Sequence, residues 1–120
     1  MAESLIIIPT YNEIDNIAAM IKAVMLLPEM PDLLVVDDSS PDGTAAAVEA
    51  LQKDYPKRLH LEVRKKKDGL GRAYIHGFNW ALSQNYVFII EMDADFSHDP
   101  KDVSKLIKAC KKGADVAIGS

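Results

Sequence analysis

SLIIIPTYNEIDNIAAMIKAVM, residues 4–25, changes its period halfway along. Its first part, Leu5 to Ile8, is a short unbroken apolar run that Pro9 is expected to end. Such a run suits a strand buried on both faces. After TYNE the apolar residues recur at intervals of three and four: Ile14, Ile17, Ala18, Ile21, Val24 and Met25. That spacing predicts a helix with one apolar face, with Asn12 as its cap and Asp15 in its first turn. A buried strand followed at once by an amphipathic helix is the opening of a parallel βα unit.

The same alternation continues outward. PEMP, residues 28–31, stops the helix, and DLLVVDD, residues 32–38, reads as a second buried strand. Ser40 before Pro41 predicts the start of a helix carried on Thr44, Ala47, Val48 and Leu51. RLHLEVR, residues 58–64, is a third strand, followed by the basic loop KKKDG. Leu70, Tyr74, Phe78, Ala81 and Leu82 mark a helix, with Gly69 and Gly71 permitting close backbone approach at its start. YVFIIEM, residues 86–92, is a fourth strand. Asp99 and Pro100 begin a helix striped by Val103, Leu106, Ile107 and Cys110, and ADVAIGS starts a fifth strand. This order predicts an α/β fold with one open parallel sheet, strand order 3-2-1-4-5, and helices on both faces. Ligands of such sheets bind outside the carboxyl ends of the strands, where the order reverses. TYNE, DDSSPDG and DADFSHD follow strands 1, 2 and 4, so all three meet at that edge.

Bulk properties narrow the class. The 120 residues suit one domain, 48% are hydrophobic and 27% charged, and the formal net charge is -4. Mild acidity argues against a general nucleic-acid binder. The single cysteine, Cys110, excludes a disulfide framework and fits a reducing compartment. No apolar run approaches the roughly 20 residues of a membrane-spanning helix, and MAESLIIIP has no basic segment of the kind that begins a signal peptide.

Asp93 and Asp95, one residue apart just past strand 4, offer hard oxygen ligands. Mg²⁺ and Mn²⁺ take such ligands, commonly with substrate phosphates completing the shell. A solvated turn is the alternative, and for Asp99, before Pro100, a helix cap is the preferred reading. In VVDDSSPDGT, Asp37 and Asp38 cannot both point into the sheet, so at most one is a ligand contact. A carboxylate there can accept from the N–H edge of a nucleobase. Tyr11 offers an aromatic face and Glu13 an acceptor, beside backbone donors at a helix start. Within RKKKDGLGRA, Lys67 and Arg72 are the phosphate candidates, with a solvated charge run as the alternative. His60, His76 and His98 read as structural.

Taken together, IIIPTYNEIDNI, VVDDSSPDGT, GLGRAYIHGF and MDADFSHDP resemble, in this order, the polyprenol (dolichyl) phosphate mannosyltransferases of glycosyltransferase family 2. The resemblance runs from Ser4 to Ser120. It implies the Rossmann-like, nucleotide-binding half of a GT-A fold. It also implies inverting transfer of mannose from GDP-mannose to a polyprenyl phosphate, with Mg²⁺ or Mn²⁺ as cofactor. By motif position it assigns Pro9, Tyr11 and Glu13 to the nucleotide sugar, and Val36 and Asp38 to the base and ribose. Asp93, Ala94 and Asp95 match the diphosphate and metal motif, with Asp95 the catalytic candidate. Some relatives carry Gln where this chain has Ser97, a departure at the third metal-site position.

Because family members continue past VAIGS, residues 1–120 are expected to be the nucleotide-sugar-binding part, truncated at its carboxyl end. Acceptor recognition, and any membrane-anchoring segment or partner, would then lie elsewhere. The expected location is the cytoplasmic face of a membrane, peripherally bound. A phospho-receiver module would place its acidic pair after strand 1, and an NAD-binding domain would place glycines there; this chain does neither. A family 2 enzyme with another nucleotide sugar or acceptor shares the same motifs and remains the alternative.

Overall fold

The computed structural model describes residues 3–65, 70–92, 105, 107–108 and 117–118. Its elements run β1 (Ser4–Thr10), α1 (Ile17–Met25), β2 (Asp32–Asp37), α2 (Thr44–Gln52), β3 (Leu59–Val63), α3 (Leu70–Leu82), β4 (Phe88–Glu91) and β5 (Ala117–Ile118). The sheet order is β3-β2-β1-β4-β5, as the alternation predicts. All four pairings are parallel. Lys105, Ile107 and Lys108 are helical, and the rest of the last helix expected from the sequence lies outside the described residues.

Alternation along the central strands sorts their side chains onto two faces. Ile6 and Ile8 of β1 join Leu33 and Val35 of β2 on one face, packed against Ile17, Met20, Ile21 and Val24 of α1, Val48 of α2, and Ile107. Leu5 and Ile7 join Leu34 and Val36 on the other, beneath Ala73 and Ala81 of α3. Every residue of β1 and β2 is buried, which is why both read as continuous apolar runs rather than alternating ones. β3 is an edge strand, and its burial falls off toward Val63.

Two helix boundaries differ from the sequence reading. Helix α1 starts at Ile17, three residues beyond Ile14, which is 38% exposed. Asn12 does not cap it; this residue sits in the left-handed region at φ 57. Helix α2 is entered through Gly43 at φ 91, a conformation that suits glycine. The helix therefore starts at Thr44 rather than just after Ser40, and Asp42, one residue before the N-cap, accepts from the Thr44 backbone N–H through Oδ1 at 3.0 Å. Leu82, expected on the buried stripe of α3, is 73% exposed. The helix instead turns Ala73, Gly77 and Ala81 to the sheet, flanked by Tyr74 and Phe78. Small residues at intervals of four let its backbone lie close to the strands.

Gly77 marks the closest point. A Cβ there would lie 2.7 Å from Ile7 Cγ2, with Val36 Cγ2 at 3.4 Å. Ile7 is β-branched, fully buried and held in the central strand, so it has little room to yield.

At the opposite end of the sheet from the loops considered below, Tyr86 donates to Asp32 Oδ2 at 2.6 Å. Burial, that hydrogen bond and the nearby carboxylate all push the Tyr86 phenol above its ordinary range. His60 lies 3.9 Å from the same carboxylate and its ring centroid is 5.0 Å from that of Trp80. Together these side chains tie β2, β3, α3 and the start of β4.

Gly77→Ala is expected to destabilise the fold. Overpacking costs about 1–3 kcal/mol, while alanine's helix preference returns about 1 kcal/mol. Urea denaturation should therefore show a lower midpoint with an unchanged slope. An unchanged midpoint would mean that α3 can lift from Ile7 without cost.

Candidate functional site at the carboxyl edge of the sheet

A proline stands where β1 meets β4 at this edge. Among the described residues, Ile7↔Glu91 is the last paired position between these strands, followed by the bond from the Met92 N–H to the Ile7 carbonyl at 3.0 Å. In a parallel ladder the next rung comes from the N–H of residue 9, and Pro9 has none. On its other side β1 continues, with Pro9↔Val36 and Thr10↔Asp37 in register. Pro9 therefore does not end the strand. It withholds one ladder donor on the β4 side only, opposite Met92, which directly precedes the Asp93–Asp95 segment in sequence.

Asp37 holds the neighbouring turn together. Although carboxylates prefer water, this one is fully buried. Oδ1 accepts from Thr10 Oγ1 at 2.7 Å and from Ser40 Oγ at 2.6 Å, and Oδ2 accepts from the Ser40 N–H at 2.9 Å. Three donors around one carboxylate compensate its loss of hydration. They also fix the last residue of β1 to the loop after β2.

That loop in turn holds the loop after β1. The N–H of Asn12 donates to Ser40 Oγ at 2.9 Å, that of Glu13 to Thr44 Oγ1 at 3.1 Å, and that of Ile14 to Asp42 Oδ2 at 3.2 Å. Three successive donors are consumed by side chains of the other loop. Read from the sequence, these N–H groups were candidates to face a ligand; in the structure they face protein. Asn12 and Ser39 each adopt positive φ, at 57 and 56, and the cross-loop bonds help keep them there. Partial desolvation pushes the Asp42 carboxyl up, but hydrogen bonds from the Thr44 hydroxyl and the Ile14 and Thr44 N–H groups outweigh it and hold its pKa below 3.8. The carboxylate is thus ionised, and an acceptor only, throughout the neutral range.

Asp38 turns to the other side, toward β3. The Val63↔Asp37 register puts Arg64 next to it, and Arg64 Nη1 lies 3.0 Å from Asp38 Oδ1 and 3.3 Å from Oδ2. Asp38 is only 4% exposed. The Arg64 N–H donates to the Asp37 carbonyl at 2.7 Å, and the Ser39 hydroxyl donates to the Arg64 carbonyl, so the ends of β2 and β3 are locked together.

The structure therefore brings Tyr11, Glu13 and Asp38 to one edge. Tyr11 and Glu13 are partly exposed. Pro9 and Val36 are adjacent in register but buried, and Val36 packs beneath α3, so its side chain offers no open contact. Arg72 is exposed near the start of α3. Lys67, Asp93, Ala94, Asp95, Ser97, His98 and Asp99 lie outside the described residues. Among the described residues no group of three His, Cys, Asp or Glu could hold a metal ion, and no helix is long and apolar enough to cross a membrane. His76 pairs with Glu62 at 3.3 Å, in line with a structural role. Arg64, Ser40 and Thr44 were missed by sequence reasoning. Arg64 had a usable signal, since it directly follows a strand that neighbours β2.

Residues 5–120 match the glycosyl transferase family 2 domain, and the chain belongs to that family. It is 47% identical over 117 residues to a polyprenol monophosphomannose synthase of Mycolicibacterium smegmatis, covering 98% of this chain and 44% of that protein. An undecaprenyl-phosphate mannosyltransferase of Micrococcus luteus is 44% identical, with coverage of 97% and 47%. A dolichol-phosphate mannosyltransferase of Pyrococcus furiosus is 41% identical, with coverage of 96% and 32%. Among solved structures, a mannosyltransferase from Pyrobaculum calidifontis in complex with GDP-Man and Mn²⁺ superposes with a TM-score of 0.71 at 26% identity, covering 88% of this chain and 31% of that one. The fold is thus the Rossmann-like part expected of a GT-A glycosyltransferase, and the chain spans less than half the length of the curated relatives it matches.

Asp37→Ala should destabilise the chain by about 2 kcal/mol, because it strands the buried Thr10 hydroxyl and two half-buried donors of Ser40. Asp37→Asn keeps one acceptor and should cost less. Chemical denaturation of the two variants checks the order; equal stability of Asp37→Ala and wild type would remove Asp37 from its central place.

Proposed function

We propose that the chain is the nucleotide-sugar-binding part of an inverting glycosyltransferase that moves mannose from GDP-mannose to a polyprenyl phosphate at a membrane surface. The observation that carries this reading is the 41–47% identity, over nearly the whole chain, to relatives named as polyprenyl-phosphate mannosyltransferases. The solved neighbour holding GDP-Man and Mn²⁺ supports the choice of donor and of a divalent cation. The greater length of the relatives leaves room for acceptor recognition outside residues 1–120, and the cytoplasmic face is the side where a nucleotide sugar meets its lipid acceptor.

Asp38 and Arg64 form the base end of the site, where a buried carboxylate can accept from the N–H edge of guanine. Tyr11 and Glu13 border the nucleotide from β1. Asp93 and Asp95 follow β4 in sequence, and their chemistry suits Mg²⁺ or Mn²⁺. When bound, the cation supplies neutralisation of the diphosphate as it departs. The acceptor needs no strong base: the second pKa of a phosphate monoester is about 6. Its anionic oxygen attacks the anomeric carbon from the face opposite the diphosphate. One C–O bond forms as the bond to GDP breaks, and the configuration inverts.

Transfer of radiolabelled mannose from GDP-mannose to a short polyprenyl phosphate, by the full-length protein, tests the whole reading; GDP-glucose or UDP-glucose as the better donor would replace it. At the metal end, calorimetry of GDP in the presence of Mg²⁺ or Mn²⁺ should show binding that depends on the cation. Asp95→Ala should weaken it by at least about tenfold, a loss near 1.4 kcal/mol. Unchanged affinity and unchanged metal dependence would rule out the assignment of Asp95. At the base end, Asp38→Ala should flatten the preference for GDP over ADP and CDP while leaving the metal dependence intact; an unaltered ranking would move base recognition elsewhere.

A further inference from the structure

The loop after β1 has two peculiarities that its own sequence does not account for. Its residues 12–14 stay out of the helix that their apolar spacing predicts, and their three N–H groups are all taken by one neighbouring loop. Glu13 lies in the middle of this arrangement, which Tyr11 directly precedes. Their side chains can hold a ligand reproducibly only if their backbone is held, and it is held from outside by Ser40, Asp42 and Thr44.

We infer that the loop after β2 is a positioning clamp for the nucleotide sugar, with Thr44 as its central positioning residue. This rests on the nucleotide-sugar reading given above. Thr44 is suited to the role by its double engagement: its hydroxyl oxygen accepts from the Glu13 N–H while its proton goes to Asp42 Oδ1. The donation fixes the direction of the lone pair offered to Glu13. Thr44 is also fully buried at the first turn of α2, so the clamp is referred to a rigid element rather than to another loop. Asp42 repeats the design one step along, with one oxygen on Thr44 and the other on Ile14. Because the clamp uses up the N–H groups of residues 12–14, these three are not available to the diphosphate. This stretch of the loop after β1 therefore contributes side chains to the site rather than backbone donors.

A pair of substitutions separates positioning from packing. Thr44→Val preserves volume and removes the hydroxyl, whereas Thr44→Ser preserves the hydroxyl and removes a methyl group. If the hydroxyl positions Glu13, Thr44→Val raises the KM for GDP-mannose in the full-length protein about tenfold. Its kcat and its KM for polyprenyl phosphate stay within about twofold, and Thr44→Ser behaves much more like wild type. If Thr44 acts only through packing, Thr44→Ser is the more damaging of the two, and the proposal falls. Hydrogen exchange provides an arm that needs no ligand: the Glu13 amide should lose protection in Thr44→Val and keep it in Thr44→Ser, with the amides of β1 unaffected. Equal protection in both variants overturns the clamp. Calorimetry with GDP and Mn²⁺ on wild type keeps the two readings apart. Absence of GDP binding by wild type overturns the nucleotide-sugar reading, and with it the clamp's purpose. GDP binding by wild type that is equally tight in Thr44→Val overturns the positioning role alone.

Discussion

A carboxylate with no exposure to water sits at the end of β2, and the rest of the edge is arranged to satisfy it. Asp37 accepts from Thr10 and twice from Ser40. Left without those donors, a buried charge of this kind is costly to the fold. The donors therefore have to be in place, and they belong to different segments. Thr10 brings the end of β1, and Ser40 brings the turn that leads through Asp42 to α2. From Ser40 the chain of bonds passes to the Asn12 N–H, and from Thr44 and Asp42 to the next two N–H groups. One buried acceptor thus determines the shape of two loops.

The two sides of this hub are built differently. β2 and β3 stay joined to their ends, because Arg64 pairs with Asp38 and its N–H continues the ladder. On the other side Met92 donates to Ile7, and Pro9 has no N–H to offer β4 as the next rung. The β3 side presents a buried carboxylate and its guanidinium, suited to the directional hydrogen bonds of a base. The β4 side leads in sequence into the acidic motif. The proposed site thus has its base end where β2 and β3 are locked together and its diphosphate end where the chain leaves β4.

The two faces of the sheet divide the remaining work. One face is covered by branched and long apolar side chains from α1, α2 and Ile107, and it forms the larger core. The other receives α3 at very short range, through Ala73, Gly77 and Ala81. That close approach fixes the beginning of α3, and so Arg72, relative to β1 and β2. Stability at Gly77 and geometry at the carboxyl edge are therefore linked through the same helix.

The strand order, the parallel sense and the placing of the polar segments at one edge were legible in the chain itself, because burial on two faces leaves unbroken apolar runs and the alternation with helices admits few topologies. The family was legible in its motifs for a different reason: three of them run on in sequence from β1, β2 and β4, and the fourth, GLGRAYIHGF, begins α3. What the local sequence misjudged was every feature in which a distant partner outbids a local preference. Ile14 has the spacing of a helix residue, but Asn12 lies at positive φ and residues 12–14 are bonded to Ser40, Thr44 and Asp42 in a loop, so the helix starts only at Ile17. Leu82 has the spacing of a buried residue, but the contact of Gly77 with Ile7 sets which side of α3 meets the sheet. Asp37 and Asp38 are indistinguishable as neighbours in sequence. Only the pleat of β2 decides that one turns to Thr10 and the other to Arg64, and only the register of β3 brings an arginine to meet the second. Local periodicity is enough to say which elements form. Which hydrogen bonds close between residues about thirty positions apart depends on geometry that exists only after the sheet has assembled.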